Sequence, residues 1–191
     1  MNHLANRYSI MRHGQSEANV RGIIVSSIDT DRHGDYGLTE RGRQQVLAAA
    51  QSSGLPRQTV ICSSDFSRAS QSAEIVRACL RARPVAITEA LRERCFGDWE
   101  GTSTANYAHV WTADEAGHSD GGVEPANAVR DRATAFIAEL EQRYEGRDIL
   151  LVSHGDTLQI LQTAFGGIDP SRHRSVPHLE TAEIRLMRDG G

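Results

Sequence analysis

Histidine, arginine and one carboxylate recur in this chain at points where a short apolar run has just ended. These points are Arg12-His13-Gly14, Ser63-Ser64 leading to Ser67-Arg68, Leu91-Arg92-Glu93 and Ser153-His154-Gly155. Together they offer a set of groups suited to phosphoryl transfer. A phosphomonoester carries about two negative charges near neutral pH, so it repels an anionic nucleophile but not a neutral imidazole such as His13. Flanking arginines hold that imidazole in its neutral form and balance charge on the phosphoryl oxygens as it redistributes. Gly14 lets the backbone come close to the bound group, and the N–H of Gly155 is a donor for a phosphoryl oxygen. The leaving alkoxide needs a proton. Glu93, among apolar Leu91, Cys95 and Phe96, is the carboxyl group whose pKa such surroundings raise and which can supply it. Glu100 and Glu124 compete for that role, although Glu124, before Pro125, also suits the positive start of a helix.

Composition narrows the chemistry. All 21 basic residues are arginine, which excludes a Walker A loop, Schiff-base chemistry and a lysine general base. Phosphate must then be handled by arginine forks, histidine and backbone N–H groups. A formal net charge of −4 gives no reason to expect a nucleic-acid partner. The 3 cysteines, Cys62, Cys79 and Cys95, form no C-x-x-C pair, so neither a disulfide framework nor a cysteine zinc site is expected. Cys62 and Cys79 read as small core residues. The polar start, Met1 to Arg7, has no apolar leader region, and no stretch approaches the roughly 18 apolar residues of a membrane span. A cytoplasmic protein with no membrane partner is expected. At 191 residues the chain suits one globular domain over residues 1–191. Nothing in the pattern speaks to oligomeric state.

The elements that must position these groups alternate between strand and helix, which gives an α/β fold with a largely parallel sheet. The expected strands are Arg7 to Met11, Thr59 to Ser63, Val85 to Thr88, Asp148 to Ser153 and Ala182 to Met187. Expected helices run over Glu40 to Ser52 behind a Thr39 N-cap, Arg68 to Arg81 behind Ser67, Pro125 to Tyr144, and Thr157 to Phe165 behind Asp156. In the longest, Val129, Ala133, Phe136, Ile137, Leu140 and Tyr144 form one apolar stripe that should cover the sheet. In such folds ligands bind beyond the carboxyl ends of the strands, and the chemistry-bearing residues follow strand ends. Two polar excursions, Gly22 to Leu38 and Gly101 to Gly122, should pass over the sheet's edge, the second with a helix around Ala105 to Trp111. The first contains Arg32-His33-Gly34, a repeat of the opening tripeptide with no strand before it and acidic residues on both sides. It reads as loop.

The ordered segments R-H-G-Q-S-E-A-N, L-T-E-R-G, S-S-D-F-S-R-A-S-Q-S-A-E, L-R-E-R-C-F-G-D-W-E-G, G-V-E-P and V-S-H-G-D resemble the histidine phosphatase superfamily, also called the phosphoglycerate mutase-like fold, from Tyr8 to about Phe165. The resemblance implies a three-layer α/β/α sandwich with a mostly parallel mixed sheet. It also implies that His13 is the phosphorylated nucleophile, Arg12 and Arg68 are phosphate clamps, and His154 is a second histidine bonded to the transferring group. Glu93 is similar to the family's proton donor, and Asn19 to its phosphate-side amide. No metal or cofactor is implied, in keeping with the lack of H-E-x-x-H or H-x-H.

Such families hold both phosphatases and cofactor-dependent mutases. Mutases usually carry a W-N segment after R-H-G, a G-W-x-D loop and lysines; here Asn19 follows Ala18, the loop reads Gly22-Ile23-Ile24-Val25-Ser26-Ser27, and lysine is absent. Metal-independent hydrolysis of a small phosphomonoester is therefore expected, the alternatives being mutase-type transfer or a non-catalytic phosphate-binding module. Selectivity should lie in Gly22 to Leu38 and Gly101 to Glu124, with Arg21, Ser26, Arg32 and Glu124 as candidate contacts to the rest of the substrate. Trp99 and Trp111 read as packing residues, and His109, His118, His173 and His178 as surface or core, with His178 the one placed to stand near the pocket.

Overall fold

Strand β4 (Asp148–Ser153) is apolar at four consecutive positions, Ile149 to Val152, as a strand covered on both faces must be. Its side chains alternate between two cores. Ile149 and Leu151 join Tyr8 and Ile10 of β1 (Arg7–Arg12) and Cys62 of β2 (Val60–Ser63). Ala133, Ile137 and Leu140 of one helix and Leu158, Leu161 and Phe165 of another close that side. Leu150 and Val152 face the opposite way with Met11 and Ile61, against Val46, Ala50, Ala69, Ala73 and Val76. Each Val, Leu, Ile, Phe or Met among them contributes roughly 1.5–3 kcal/mol when fully buried, so period-2 alternation in the central strands produces the three layers.

The computed structural model describes residues 4–187. After β1 come α1 (Glu17–Arg21), α2 (Ile28–Asp31) and α3 (Glu40–Ser52), then β2, α4 (Ser67–Leu80), β3 (Ala86–Ile87), α5 (Tyr107–Glu115), α6 (Ala126–Arg143), β4, α7 (Gly155–Gly166) and β5 (Ile184–Leu186). Helices α3 and α4 cover one face of the sheet, and α6 and α7 the other. The 5-stranded sheet runs β3-β2-β4-β1-β5. Its first four strands are parallel, and β5 is antiparallel to β1 at the edge. Among the described residues no helix is long and apolar enough to cross a membrane.

Several expected boundaries shift for identifiable reasons. The last strand starts at Ile184 because Ala182, at φ 64, is in left-handed backbone, where its N–H reaches Arg12 O and His13 O. Ser67 and Asp156 lie inside their helices and do not cap them. The first N–H of α4 is instead taken by Asp31, which accepts from Ser67 N at 2.5 Å and Ser67 Oγ at 2.8 Å across the fold. Thr39 does cap α3, accepting from Gly42 N at 3.0 Å. Pro125 is the N-cap of α6 and stands just outside its first turn.

The two polar excursions pair with each other. Ile24 N donates to Thr102 O and Gly101 N to Ile24 O, both at 2.8 Å. A small third core of Ile24, Phe96, Val110 and Val123 forms between them. The helix in the second excursion, α5, runs further than expected, to Glu115, after a 3-10 turn at Thr104–Asn106.

Candidate active site

Parallel register brings the chemistry together. Arg12 stands opposite Ser153 and Ser63 opposite Val152. The ladder continues past both strand ends, with His13 N donating to Ser153 O at 3.0 Å and Ser64 N to Val152 O at 3.1 Å. The His13 and His154 rings consequently meet edge to face with centroids 5.2 Å apart. Both are buried, at 3% and 0% exposure.

The surroundings assign the proton of the His13 ring. His13 Nδ1 lies 2.7 Å from Gly14 O, a carbonyl that can only accept, so Nδ1 carries the hydrogen. Nε2 is then the free lone pair, and it accepts from Arg68 Nε at 3.2 Å. Burial first, then Arg68 and Arg12, hold His13 well below the ordinary histidine range, which leaves a neutral imidazole at neutral pH. Ser64 Oγ accepts from Phe66 N and lies 2.9 Å from His154 Nε2. That hydroxyl can donate to Nε2 or accept from it, so the His154 tautomer follows the Ser64 O–H. Burial, then Arg68 and His13, likewise hold His154 well below the ordinary range.

Three buried polar atoms here, Arg12 Nε, Arg68 Nη1 and His154 Nδ1, have no hydrogen-bond partner among the described residues. A buried unsatisfied donor costs about 1–3 kcal/mol, and Arg12 and Arg68 line the same cavity as His13. The other guanidinium contacts set the forks: Arg12 Nη1 donates to Leu179 O at 2.9 Å and Arg68 Nη2 to Val25 O at 2.8 Å. Gly155 opens α7, so its N–H is one that an α-helix leaves unpaired, and the positive end of the helix dipole faces the same place.

Glu93 lines this cavity half-buried. Its Oε1 accepts from Arg94 N at 3.0 Å, Thr157 N at 3.2 Å and Thr157 Oγ1 at 3.2 Å. Burial and then Asp156 raise its pKa, while Arg68 and the two backbone donors oppose them. Asp156 is kept charged, against burial, by His173 and Arg94. Arg94, at 0% exposure, makes a two-pronged bond to Asp114 at 2.6 Å for each nitrogen and reaches Asp156 at 3.3 Å.

The cavity, about 190 Å³, brings together Arg12, His13, Asn19, Arg68, Glu93 and Gly155, with His154 packed against His13. Asn19 Oδ1 is occupied in a capping box with Ser16, leaving its amide NH2 as the end able to donate. The expected outer contacts are not brought in. Arg21 lies over the Tyr36 ring, Ser26 donates to Glu100, Arg32 pairs with exposed Asp29, and Glu124 holds Arg132 and Cys95 N. None of the four lines the cavity. Gly14 also has a different reason from the one its position suggests: a Cβ there would lie 2.5 Å from Gly42 O of α3, so the glycine permits β1 to approach that helix.

Trp111, expected as packing alone, lines the cavity with Tyr107, Asp156, Gln159, Arg174 and His178. These residues come from α5, α7 and the segment after it. His178 alone among them was singled out by its place before the last strand. The others carry no spacing signal, since they meet only once α5 has folded over the strand ends.

A family model described as "Histidine phosphatase superfamily (branch 1)" matches residues 9–191. The glucosyl-3-phosphoglycerate phosphatase of Mycolicibacterium vanbaalenii is 30% identical over 175 residues, 85% of this chain and 75% of its own. The adenosylcobalamin/alpha-ribazole phosphatase of Escherichia coli is 31% identical over 164 residues, 81% of this chain and 76% of its own. Among solved structures, Bacillus stearothermophilus YhfR superposes with a TM-score of 0.81 at 26% identity, covering 95% of this chain and 90% of that one.

Proposed function

The chain belongs to the histidine phosphatase superfamily, and on that premise we propose that a single domain over residues 1–191 hydrolyses a small phosphomonoester through a phosphohistidine on His13. The observation that carries this reading is the unprotonated Nε2 of His13, fixed by Gly14 O on one side and Arg68 on the other, with unpartnered nitrogens of Arg12, Arg68 and His154 around it. Relatives named as phosphatases support hydrolysis. A cavity of about 190 Å³ is small beside the roughly 300–1,000 Å³ of drug-sized sites, which favours a metabolite over a phosphoprotein.

In the first step Nε2 attacks phosphorus and the P–O bond to the alcohol breaks. Arg12, Arg68, His154 Nδ1–H and the Gly155 N–H hold the equatorial oxygens. Glu93, as the acid, gives its proton to the leaving oxygen. In the second step a water attacks phosphorus and passes a proton to the Glu93 carboxylate, the P–N bond breaks, and phosphate leaves with His13 neutral again. Charge balances in both steps. The test is release of phosphate from p-nitrophenyl phosphate with EDTA present: the wild-type protein should turn over and His13→Ala should not. Equal turnover by the two proteins would refute the proposal.

A further inference from the structure

The phosphate end uses Arg12 and Arg68, but a third guanidinium lines the same cavity. Arg174 comes from the 3-10 turn Pro170–Ser175. Its Cζ lies 3.7 Å above the centre of the Trp111 ring, and Nη1 donates to Gln159 Oε1. Gln159 is 1% exposed and its Nε2 donates to Val176 O at 2.6 Å, so main chain aims the amide oxygen at the arginine. Trp111 is fixed in turn by its Nε1, which donates to Asp156 at 2.9 Å.

That construction holds a cation in place with no carboxylate in direct contact, Asp156 acting on it through space. Among the described residues no carboxylate pairs with Arg174. Asp156 is already shared by Arg94 at 3.3 Å, His173 at 3.3 Å and Trp111. A guanidinium stacked on an indole and tied through one nitrogen keeps its other N–H groups for a planar or tetrahedral oxyanion. Besides its polar groups the cavity has an apolar and aromatic lining of Ile23, Val25, Tyr107 and Trp111, with Tyr107 and Trp111 stacked at 5.5 Å. The part of a ligand that spans it is a short organic frame.

We propose that Arg174, set by Trp111 and Gln159, is a second anion subsite, and that the substrate carries, besides its phosphomonoester, another acidic group on the alcohol side. This rests on the phosphatase reading and deepens it. The probes are 3-phosphoglycerate and glycerol 3-phosphate, in which a carboxylate and a hydroxymethyl group exchange places, and glycerol 1,3-bisphosphate, which adds a phosphate, each scored as a competitor of p-nitrophenyl phosphate hydrolysis. At least one diacidic probe should compete on the order of tenfold better than glycerol 3-phosphate, as a charge-assisted contact allows, and the better of the two identifies the group. Arg174→Gln should remove that advantage while leaving p-nitrophenyl phosphate turnover within about twofold. Equal potency of all three probes, no competition from any, or an advantage that survives Arg174→Gln would overturn the subsite. Loss of the reaction reading has a different signature, since p-nitrophenyl phosphate would then be hydrolysed as well by His13→Ala as by the wild type.

Discussion

Arg12-His13-Gly14 and Arg32-His33-Gly34 place the same three residues in two surroundings. The first follows a central parallel strand: His13 is 3% exposed, its ring is fixed through both nitrogens, and Gly14 is pressed against Gly42 of α3. The second follows the short α2, where His33 is exposed, Arg32 pairs with its near neighbour Asp29, and a Cβ on Gly34 would meet nothing within 4 Å. The tripeptide supplies functional groups in both places. In the first, Gly14 O and Arg68 of α4 decide which nitrogen is bare, and β4 and α3 decide what lies beside the turn, whereas the second touches its own loop. Chemistry here is a property of strand register and helix placement.

Paired substitutions test that contrast. His13→Ala should lower kcat by about three orders of magnitude or more, and His33→Ala should stay within about twofold, both read from steady-state phosphate release. Loss of activity in both would remove the distinction. Arg68→Gln should lower kcat by roughly 10²–10³, as expected for removing a donor to a developing oxyanion, with Arg32→Gln again silent.

Glu93→Gln extends the comparison to the proposed proton donor. On an alkyl phosphate, kcat should fall by about 10², but less on p-nitrophenyl phosphate, whose leaving group needs little protonation. The pH profile gives the sign. The raised pKa of Glu93 keeps it acidic further up the scale, so wild-type kcat should decline on the alkaline side as it ionises, and that limb should vanish in Glu93→Gln. An alkaline limb unchanged in the variant would reassign the acid.

Smaller effects fall on stability. Gly14→Ala forces a methyl group against a backbone carbonyl and should cost about 3 kcal/mol, the upper end for overpacking. Gly34→Ala, in open space at φ 74, should cost about 1 kcal/mol for its left-handed backbone. Urea midpoints compare the two, and equal costs would contradict the packing assigned to Gly14. Acid pH adds a last test. His13 is neutral when folded but protonates below its ordinary value of 6.5 when unfolded, so the unfolded chain binds more protons there and stability falls as pH drops below 6.5. His13→Phe should reduce that slope by up to about 1.4 kcal/mol per pH unit; an unchanged slope would contradict the buried neutral ring.

What the sequence made legible follows the same division. Arg12, His13, Glu93, His154 and Gly155 stand at or just after strand ends or in the turns beyond them, and Arg68 in the first turn of α4, so periodicity that locates strands also locates these residues. Position did not reveal why Gly14 must be glycine, because Gly42 arrives from a helix about thirty residues on. Asp31 capping α4 was hidden for the same reason. Arg21, Ser26, Arg32 and Glu124 are candidate contacts to the rest of the substrate because polar loop residues near a site are reasonable partners. The loops instead close on each other through Ile24 and Thr102, and those side chains turn to Tyr36, Glu100, Asp29 and Arg132. Trp111, Gln159 and Arg174 come from three separate segments, and no local pattern announces that they meet.

The most direct measurement is to quench turnover in alkali, where phosphohistidine survives, and locate the phosphoryl group by peptide mass spectrometry. The expected result is an acid-labile phosphoryl group on the peptide bearing His13, absent in His13→Ala and still present in His33→Ala. A label on His33, or full turnover with no phosphoryl group on His13 at any time in a rapid-quench series, would contradict the account.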